Sequence, residues 1–176
     1  MHRHDIVASE RLDLVGWSLD FVDALIANDE PGASAALNIV FPQPFAPPPE
    51  TGDVLGFFRT MTINDRSEGL FVSRMIVRRS DRMAVGSIGV VPPDEHGLAM
   101  IGYSIYPEFE GLGYASEAAT VLVTYALNNS AVSGIWATIA PDNIGSAKVA
   151  SRAGLLPTGE MRDDEGLQLA YWERMR

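Results

Sequence analysis

The sequence contains no cysteine among its 176 residues. This absence excludes disulfides, thiolate metal sites and an acyl-cysteine intermediate, so acyl chemistry on this chain would have to be direct transfer. Histidine is almost as scarce, with His2, His4 and His96. A histidine pair at a chain terminus is expected to be solvated rather than metal-bound, so no metal site is predicted.

Positive charge and long apolar runs are also scarce. The chain has 13 Lys and Arg against 23 Asp and Glu, a formal net charge of −10 and a pI of about 4.6. Nucleic-acid surfaces need clustered Lys and Arg, so no nucleic-acid partner is predicted. No apolar run approaches the roughly 18 residues of a membrane span, and residues 1–5 lack the apolar core of a signal peptide. We therefore predict no membrane partner and a cytoplasmic location.

The composition is that of a soluble globular domain, with 47% hydrophobic and 20% charged residues. No linker-like run divides the chain, so one domain spanning residues 1–176 is predicted. An acidic protein can still bind a polyanion where backbone N–H groups and a helix dipole supply positive potential. The negative charge of the chain also suits a cationic substrate such as an amine, although solubility explains this charge equally well.

Residues 101–118 read as a strand, a turn and a helix. Apolar residues alternate with aromatic and β-branched ones, Pro107 ends the strand, and Gly111 and Gly113 open a segment with helical periodicity. Such a turn is a typical anion site, because glycines allow close backbone approach and the free N–H groups of the first helical turn point toward it. A phosphate ligand is the interpretation, with a ligand-free turn as the simpler alternative.

The turn fits neither common nucleotide motif. It has no lysine, which the Walker A pattern requires, and Ser116 stands where the dinucleotide fingerprint has its third glycine. Residues 110–115, Glu-Gly-Leu-Gly-Tyr-Ala, instead resemble the coenzyme A loop of the GCN5-related N-acetyltransferases, Gln/Arg-x-x-Gly-x-Gly/Ala. The flanking Ile-Gly-Tyr and Gly-Tyr-Ala-x-Glu-Ala are similar to the RimJ/RimL-type branch. Glu110 departs from the pattern.

A second motif resembles the same family. Residues 143–155 contain the pattern Asn-x-x-Ser-x-Lys/Arg followed by Gly and an apolar residue. Asn143 and Ser146 share a face at a helix start, where simple capping is the alternative explanation. The motif follows the Gly loop by one helix and one strand, as in the family. The resemblance covers residues 101–155, while the first 60 residues match only in outline.

The resemblance implies an acyl-CoA-dependent N-acyltransferase, most simply an acetyltransferase with acetyl-CoA as cosubstrate and no metal. An amine would attack the thioester directly, a backbone N–H would stabilise the oxyanion, and Ser146 would protonate the departing thiolate. The residues implied to bind coenzyme A are Ile105, Glu110, Gly111, Leu112, Gly113, Tyr114, Ala115, Ser116, Asn143 and Ser146.

The general base is left open. Relatives often carry a glutamate just before the Ile-Gly-Tyr run, where this chain has Met100. The ionisable candidates are Glu68, Glu95 and His96, each better explained as solvated surface, and Tyr103 or water could also take the proton. The expected acceptor is an amine, either a peptide N-terminus or a small molecule. Homodimer formation is also left open. The alternative functions are a non-catalytic coenzyme A-binding module and a domain that binds another phosphate compound.

The hydrophobic patterns predict an α/β domain in the order β-α-α-β-β-β-α-β-α-β-β. Its sheet is expected to be mixed and mostly antiparallel, with a parallel pair that the family resemblance implies is splayed. Little regular structure is expected over residues 30–51, where six prolines interrupt the chain. The resemblance places this segment over the acceptor site, whereas a packed connector whose Phe41 and Phe45 complete the core is the alternative. Predicted strands cover residues 11–15, 70–78, 83–91, 98–106, 135–140, 155–159 and 168–173.

Overall fold

The computed structural model describes residues 6–49, 51–64 and 70–176. Three residues considered above, His2, His4 and Glu68, lie outside these ranges. The described strands are β1 (Ile6–Ala8), β2 (Leu12–Gly16), β3 (Arg74–Arg78), β4 (Ala84–Val90), β5 (Leu98–Ile105), β6 (Gly134–Ile139), β7 (Leu156–Arg162) and β8 (Gln168–Met175). The described α-helices are α1 (Leu19–Ile26), α2 (Glu30–Leu37), α3 (Leu55–Asn64), α4 (Tyr114–Leu127) and α5 (Ile144–Arg152).

The eight strands form one mixed sheet in the order β1-β2-β3-β4-β5-β6-β8-β7. Strands β5 and β6 are parallel, while the other neighbouring strands are antiparallel. The predicted fold class, a mixed sheet with a parallel pair and flanking helices, is confirmed. Within the described residues, no helix combines the length and the apolarity that a membrane crossing requires.

The parallel pair separates after three residues of pairing. Residues Leu98–Met100 of β5 pair with Gly134–Trp136 of β6. Beyond that point β5 pairs only with β4, as far as Ile105, and β6 pairs only with β8, as far as Ile139. The two strands therefore diverge and leave facing backbone edges between them.

The sheet carries an apolar core on each face. Successive side chains of a strand point to opposite faces, and in β3 Met75 and Val77 join one core while Ile76 joins the other. The first core includes Phe21 of α1, and the second includes Leu122 of α4. Because both faces are covered, the strands are held rigidly and can position a site at their diverging edges.

The sequence interpretation was wrong for residues 30–37, which form α2 rather than an irregular segment. Asp29 caps this helix by accepting the N–H of Gly32 at 3.1 Å. Pro31 falls in the first turn, where its missing N–H has no helical partner to lose. The prediction was wrong because it counted the prolines without considering where each one lies in a helix. Strand β1 was also missed, and its three residues are too short for a hydrophobic period.

Candidate active site

The Gly-rich turn lies directly before α4. Gly111 and Gly113 have φ angles of +74° and +82°, a region that favours glycine because a Cβ there is strained. A Cβ at Gly111 would have no atom within 4 Å, and one at Gly113 would lie 3.5 Å from Nη2 of Arg11. Since α4 has 14 residues and begins directly after Gly113, its unpaired first-turn N–H groups and its positive dipole end lie at this loop.

The start of α4 is held from outside the loop by Glu117. Its carboxylate accepts hydrogen bonds from Oγ of Ser9 at 2.7 Å, the backbone N–H of Arg11 at 2.8 Å and Nε of Arg11 at 2.7 Å. Nη1 of Arg11 also donates to the carbonyl of Leu112 at 3.3 Å. Partial burial opposes ionisation, but the bonds from Ser9 and Arg11 outweigh it and lower the pKa of Glu117. The turn between β1 and β2 thereby fixes the loop.

A groove of about 780 Å³ lies where β5 and β6 diverge. The N-termini of both α4 and α5 open into it, and its volume is that of a ligand site, typically about 300–1,000 Å³. Leu112 is absent from its walls and is 51% exposed. The other residues implied to bind coenzyme A all line it, namely Ile105, Glu110, Gly111, Gly113, Tyr114, Ala115, Ser116, Asn143 and Ser146.

Two cations of α5 in the groove were not assigned a role by the sequence analysis. Lys148 and Arg152 line the groove, and Nη1 of Arg152 donates to Oγ of Ser116 at 3.3 Å. They are four residues apart, so they share a face of the helix, a spacing that could have identified them. With Glu110 as the acidic side chain among the described groove walls, the local balance is positive in a chain of net charge −10.

Ser146 and Tyr103 form a hydroxyl pair in the groove. The Tyr103 hydroxyl lies 2.9 Å from Oγ of Ser146 and donates to the Ser146 carbonyl at 3.0 Å. Asn143 caps α5 by accepting the Ser146 N–H at 2.9 Å, which leaves the Ser146 hydroxyl available. Burial raises the pKa of Tyr103, and the hydrogen bond with Ser146 only partly offsets this. The phenol therefore stays protonated near neutral pH and suits proton donation better than proton removal.

A second, smaller pocket of about 210 Å³ adjoins the groove. The two cavities share Pro49, Gly102, Tyr103 and Ser104. The remaining pocket walls come from α3, from β4 and the residue after it, from Met100 of β5, and from Trp17, Thr51 and Ser73. Sequence reasoning missed this pocket because its walls come from segments far apart in the chain and carry no common motif.

The proline-rich segment divides between the two roles considered for it. Phe41 packs on Phe21 with ring centroids 6.3 Å apart, and Phe45 meets Phe41 at 4.9 Å, so these rings complete a core. Pro49 and Thr51, by contrast, line the small pocket. The packed-connector interpretation therefore fits the phenylalanines, while the end of the segment borders the cavity.

Among the candidate bases, Glu95 and His96 lie away from the cavities and Glu68 lies outside the described residues, while Tyr103 lines both cavities. Glu95 and His96 lie in an exposed turn, with Oε1 and Nε2 3.7 Å apart, and line neither cavity. Met100 does line the small pocket. Among the residues that the structure describes, no carboxylate or imidazole lines that pocket.

The combination of glycine loop, diverging parallel strands and groove-facing serine matches a known family. A family model for the acetyltransferase (GNAT) domain matches residues 11–156. The chain therefore belongs to the GNAT acetyltransferase family.

Relatives and solved structures agree with this assignment. The uncharacterized N-acetyltransferase YjdG of Bacillus subtilis (strain 168) is 31% identical over 105 residues, 59% of this chain and 62% of that protein. The chain thus spans less than two thirds of that relative. The uncharacterized N-acetyltransferase p20 of Bacillus licheniformis is 27% identical over 159 residues, 89% of this chain and 85% of that protein.

Solved structures share the fold across almost the whole chain. The ribosomal-protein-S5-alanine acetyltransferase of Vibrio fischeri has a TM-score of 0.69 at 15% identity, covering 97% of this chain and 96% of that one. RimL, a ribosomal L7/L12 α-N-protein acetyltransferase solved with coenzyme A, has a TM-score of 0.68 at 18% identity, covering 97% and 98%. The predicted resemblance to the family is confirmed, and the structural neighbours include RimL.

Proposed function

We propose that this chain transfers an acetyl group from acetyl-CoA to a primary amine, either a peptide N-terminus or a small amine. The observation that carries the proposal is the single groove at the β5–β6 divergence, into which the glycine loop, both helix N-termini and the Ser146 hydroxyl open. This arrangement can hold a phosphate at one end and a reacting carbonyl near Ser146. Membership in the GNAT acetyltransferase family supports the same reaction.

The proposed donor site uses backbone groups and a few cations. The N–H groups around Gly111 and Gly113 would bind the pyrophosphate at the positive end of α4. Lys148 and Arg152 would add charge-assisted contacts to phosphate oxygens. The facing edges of β5 and β6 could pair with the amides of the pantetheine arm as an added strand would. Each role fits a residue or edge that lines the groove.

The proposed reaction is a direct transfer. The amine nitrogen bonds to the acetyl carbon, the carbon–sulfur bond breaks, and the amine releases a proton to water as the amide forms. The departing thiolate takes a proton from Oγ of Ser146, the Tyr103 hydroxyl beside Ser146 replaces it, and Tyr103 regains from water the proton that the amine released. The products are the N-acetylated amine and free coenzyme A, so atoms and charge balance.

Binding of the donor is the first test. Acetyl-CoA at about 100 times its dissociation constant should raise the free energy of unfolding by about 2.7 kcal/mol, because it binds only the folded chain. Calorimetric titration should show binding to the native protein. A flat titration at millimolar acetyl-CoA would reject the proposed function.

The second test measures turnover, and the amino-acid composition removes the background signal from protein thiols. Because the chain has no cysteine, a thiol reagent reports only the coenzyme A that is released. We expect acetyl-CoA and an amine panel to release thiol faster than acetyl-CoA alone.

A coenzyme A-binding module without catalysis is the second candidate. The absence of a carboxylate or imidazole from the described pocket walls favours it. Acetyl-CoA binding without amine-dependent thiol release would support the module and reject the enzyme.

A further inference from the structure

The small pocket lies on the acceptor side of the proposed reaction centre. It meets the groove at Gly102, Tyr103 and Ser104, and Tyr103 is also the hydroxyl partner of Ser146. An amine held in this pocket would therefore enter the groove next to the proposed proton donor. This placement makes the pocket walls a direct guide to the chemistry of the acceptor, given the proposed acetyl transfer.

The described pocket walls are apolar and uncharged. Aromatic and aliphatic side chains dominate, among them Trp17, Phe57, Phe58 and Met100. A second ammonium or a carboxylate on the acceptor would find no opposite charge on these walls, and burying an unpaired charge costs several kcal/mol. The pocket therefore disfavours polyamines and free amino acids.

Several hydroxyls on the pocket walls already have partners within the protein. Thr51 donates to the carbonyl of Pro48 at 2.5 Å, and the hydroxyl oxygens of Ser87 and Ser104 lie 3.1 Å apart. Groups that are already paired offer little to a polar ligand, because a new bond would replace an existing one. Apolar contact is consequently the main attraction that these walls provide.

The size of the pocket suits a ring. Its volume of about 210 Å³ exceeds the ~150 Å³ of an engineered apolar protein cavity that binds benzene. The rings of Trp17 and Phe58 lie 5.2 Å apart at 69°, and those of Phe57 and Phe58 lie 5.7 Å apart at 62°. Aromatic walls of this kind can receive a further ring edge-to-face. A six-membered ring with a short amine-bearing chain is of the right size.

The same walls decide the protonation state of the acceptor. An ammonium would lose its hydration on entry, while the titratable side chain on the described pocket walls is Tyr103, a protonated phenol. The groove adds Glu110, Tyr114, Lys148 and Arg152, none of which lines the pocket. The neutral amine is thus the form that fits, and it needs no protein base to become a nucleophile.

We infer that the pocket beside Tyr103 binds the acceptor, and that this acceptor is an uncharged primary amine on an apolar, ring-sized carbon skeleton. The inference rests on the proposed acetyl transfer for its reaction. It differs from the proposed function in naming the acceptor class.

Matched pairs of amines test the inference on the native protein. Phenethylamine and phenylalanine share a skeleton, but only phenylalanine carries a carboxylate. Pentylamine and cadaverine share a chain, but only cadaverine carries a second amine. We expect kcat/KM to be about 10²-fold higher for the singly functional member of each pair, and higher for phenethylamine than for ethylamine. Equal or reversed preferences, or a better rate with a polar N-terminal peptide, would overturn the inference.

A pH series tests the protonation state. For phenethylamine and a difluorinated analogue with a less basic nitrogen, kcat/KM should follow the unprotonated fraction of each amine. The two profiles should therefore level off at different pH values. A common midpoint for both amines would reveal a protein base and contradict the inference.

A charge placed on the pocket wall should change the preference. Met100→Glu gives a second ammonium a partner, and because a glutamate here can also act as a base, the readout is the kcat/KM ratio of cadaverine to phenethylamine, which should rise. Met161→Glu on β7 is the matched control, since Met161 is 40% exposed and lines neither cavity. It should leave both rates unchanged. An unaltered preference in a folded Met100→Glu protein that binds acetyl-CoA would argue against the pocket.

Direct binding separates this inference from the proposed function. Calorimetry with phenethylamine and with phenylalanine, in the absence of acetyl-CoA, reports on the pocket alone. Binding of phenethylamine without any binding of acetyl-CoA would leave the pocket assignment standing and reject acetyl transfer. Acetyl-CoA turnover with charged amines only would keep the proposed function and reject the inference.

Discussion

The groove and the small pocket share part of one wall but are built from different kinds of atoms. The groove is formed around a glycine turn, two helix N-termini and two diverging strand edges, so backbone groups add to the polar side chains of its walls. The pocket is formed by side chains such as Phe57, Phe58 and Met100, and its character is apolar. A backbone-built anion site suits a donor that many proteins share, whereas side-chain walls suit an acceptor that is particular to one.

This contrast predicts that substitutions in the two regions have separable effects. Changes in the groove should alter the protein's affinity for acetyl-CoA whichever amine is used. Changes in the pocket should alter which amine the protein prefers. Tyr103 and Ser146 lie at the junction, where an effect on the chemical step itself is expected.

The largest effect is expected at this junction. Ser146→Ala should lower kcat by about 10²-fold with little change in acetyl-CoA affinity, because a proton donor acts mainly in the transition state. The helix cap survives, since Asn143 binds the backbone N–H of residue 146. Steady-state kinetics and calorimetry would measure the two quantities.

The hydroxyl pair allows a double-variant control. If Tyr103 supplies the proton that Ser146 gives up, Tyr103→Phe should slow turnover, and adding it to Ser146→Ala should cost little more. Full turnover in Ser146→Ala would reduce Ser146 to a structural residue.

A loop glycine with a positive φ angle should give the next largest effect. Gly111→Ala places a methyl group in the open space of the groove, where acetyl-CoA is proposed to contact the loop backbone. It should therefore weaken acetyl-CoA binding about tenfold, or about 1.4 kcal/mol. Gly166→Ala is the matched control, because Gly166 has φ of +82° and equally open surroundings in the turn before β8. Both variants should lose similar stability in urea unfolding, about 1–2 kcal/mol. Equal acetyl-CoA affinities would show that the turn is only structural.

The outer support of the loop should give a smaller, pH-dependent effect. Glu117→Gln should lower the free energy of unfolding by about 1 kcal/mol at neutral pH, since a charged acceptor of three hydrogen bonds becomes neutral. Because the folded-state pKa of Glu117 is lowered, its stabilisation is present above the unfolded pKa of about 4.3 and is lost as pH falls through the folded value.

Urea unfolding of both proteins at neutral and acidic pH would measure this difference, which should vanish in acid. Glu95→Gln, in an exposed turn, is the control and should change stability little at either pH. A difference that persists in acid would mean that the carboxylate charge is not the cause.

The smallest effect is expected at Glu110, where relatives often carry Gln or Arg. Glu110 lines the groove, so Glu110→Gln should remove a repulsion and tighten acetyl-CoA binding by at most about 1 kcal/mol, roughly fivefold. High salt should reduce the gain, because the Debye length falls to about 3 Å at 1 M. Glu108→Gln, which lies outside the groove walls, should have no effect. Equal dissociation constants for native and Glu110→Gln proteins at low salt would place the carboxylate in solvent.

The amino-acid sequence by itself determined the elements whose signals are local. Gly113 before α4 and Asn143 at the cap of α5 are marked by backbone geometry and by hydrogen bonds within three or four residues, so both loops of the groove could be predicted. Strand periodicity and short turns likewise identified the antiparallel run, and the strand-helix-strand order identified the parallel pair. Helix α2 was not predicted because Pro31 was counted as a helix breaker, although it lies in the first turn of the helix.

Tertiary structure alone decided how the small pocket is built. The pocket joins Trp17, Phe58 and Met100, which are separated by tens of residues and have no periodic relation to one another. The same is true of the contact between Tyr103 and Ser146, whose hydroxyl oxygens lie 2.9 Å apart only because β5 and α5 border one groove. Backbone-directed sites leave local patterns in a sequence, whereas a cavity walled by distant side chains exists only once the sheet and helices have packed.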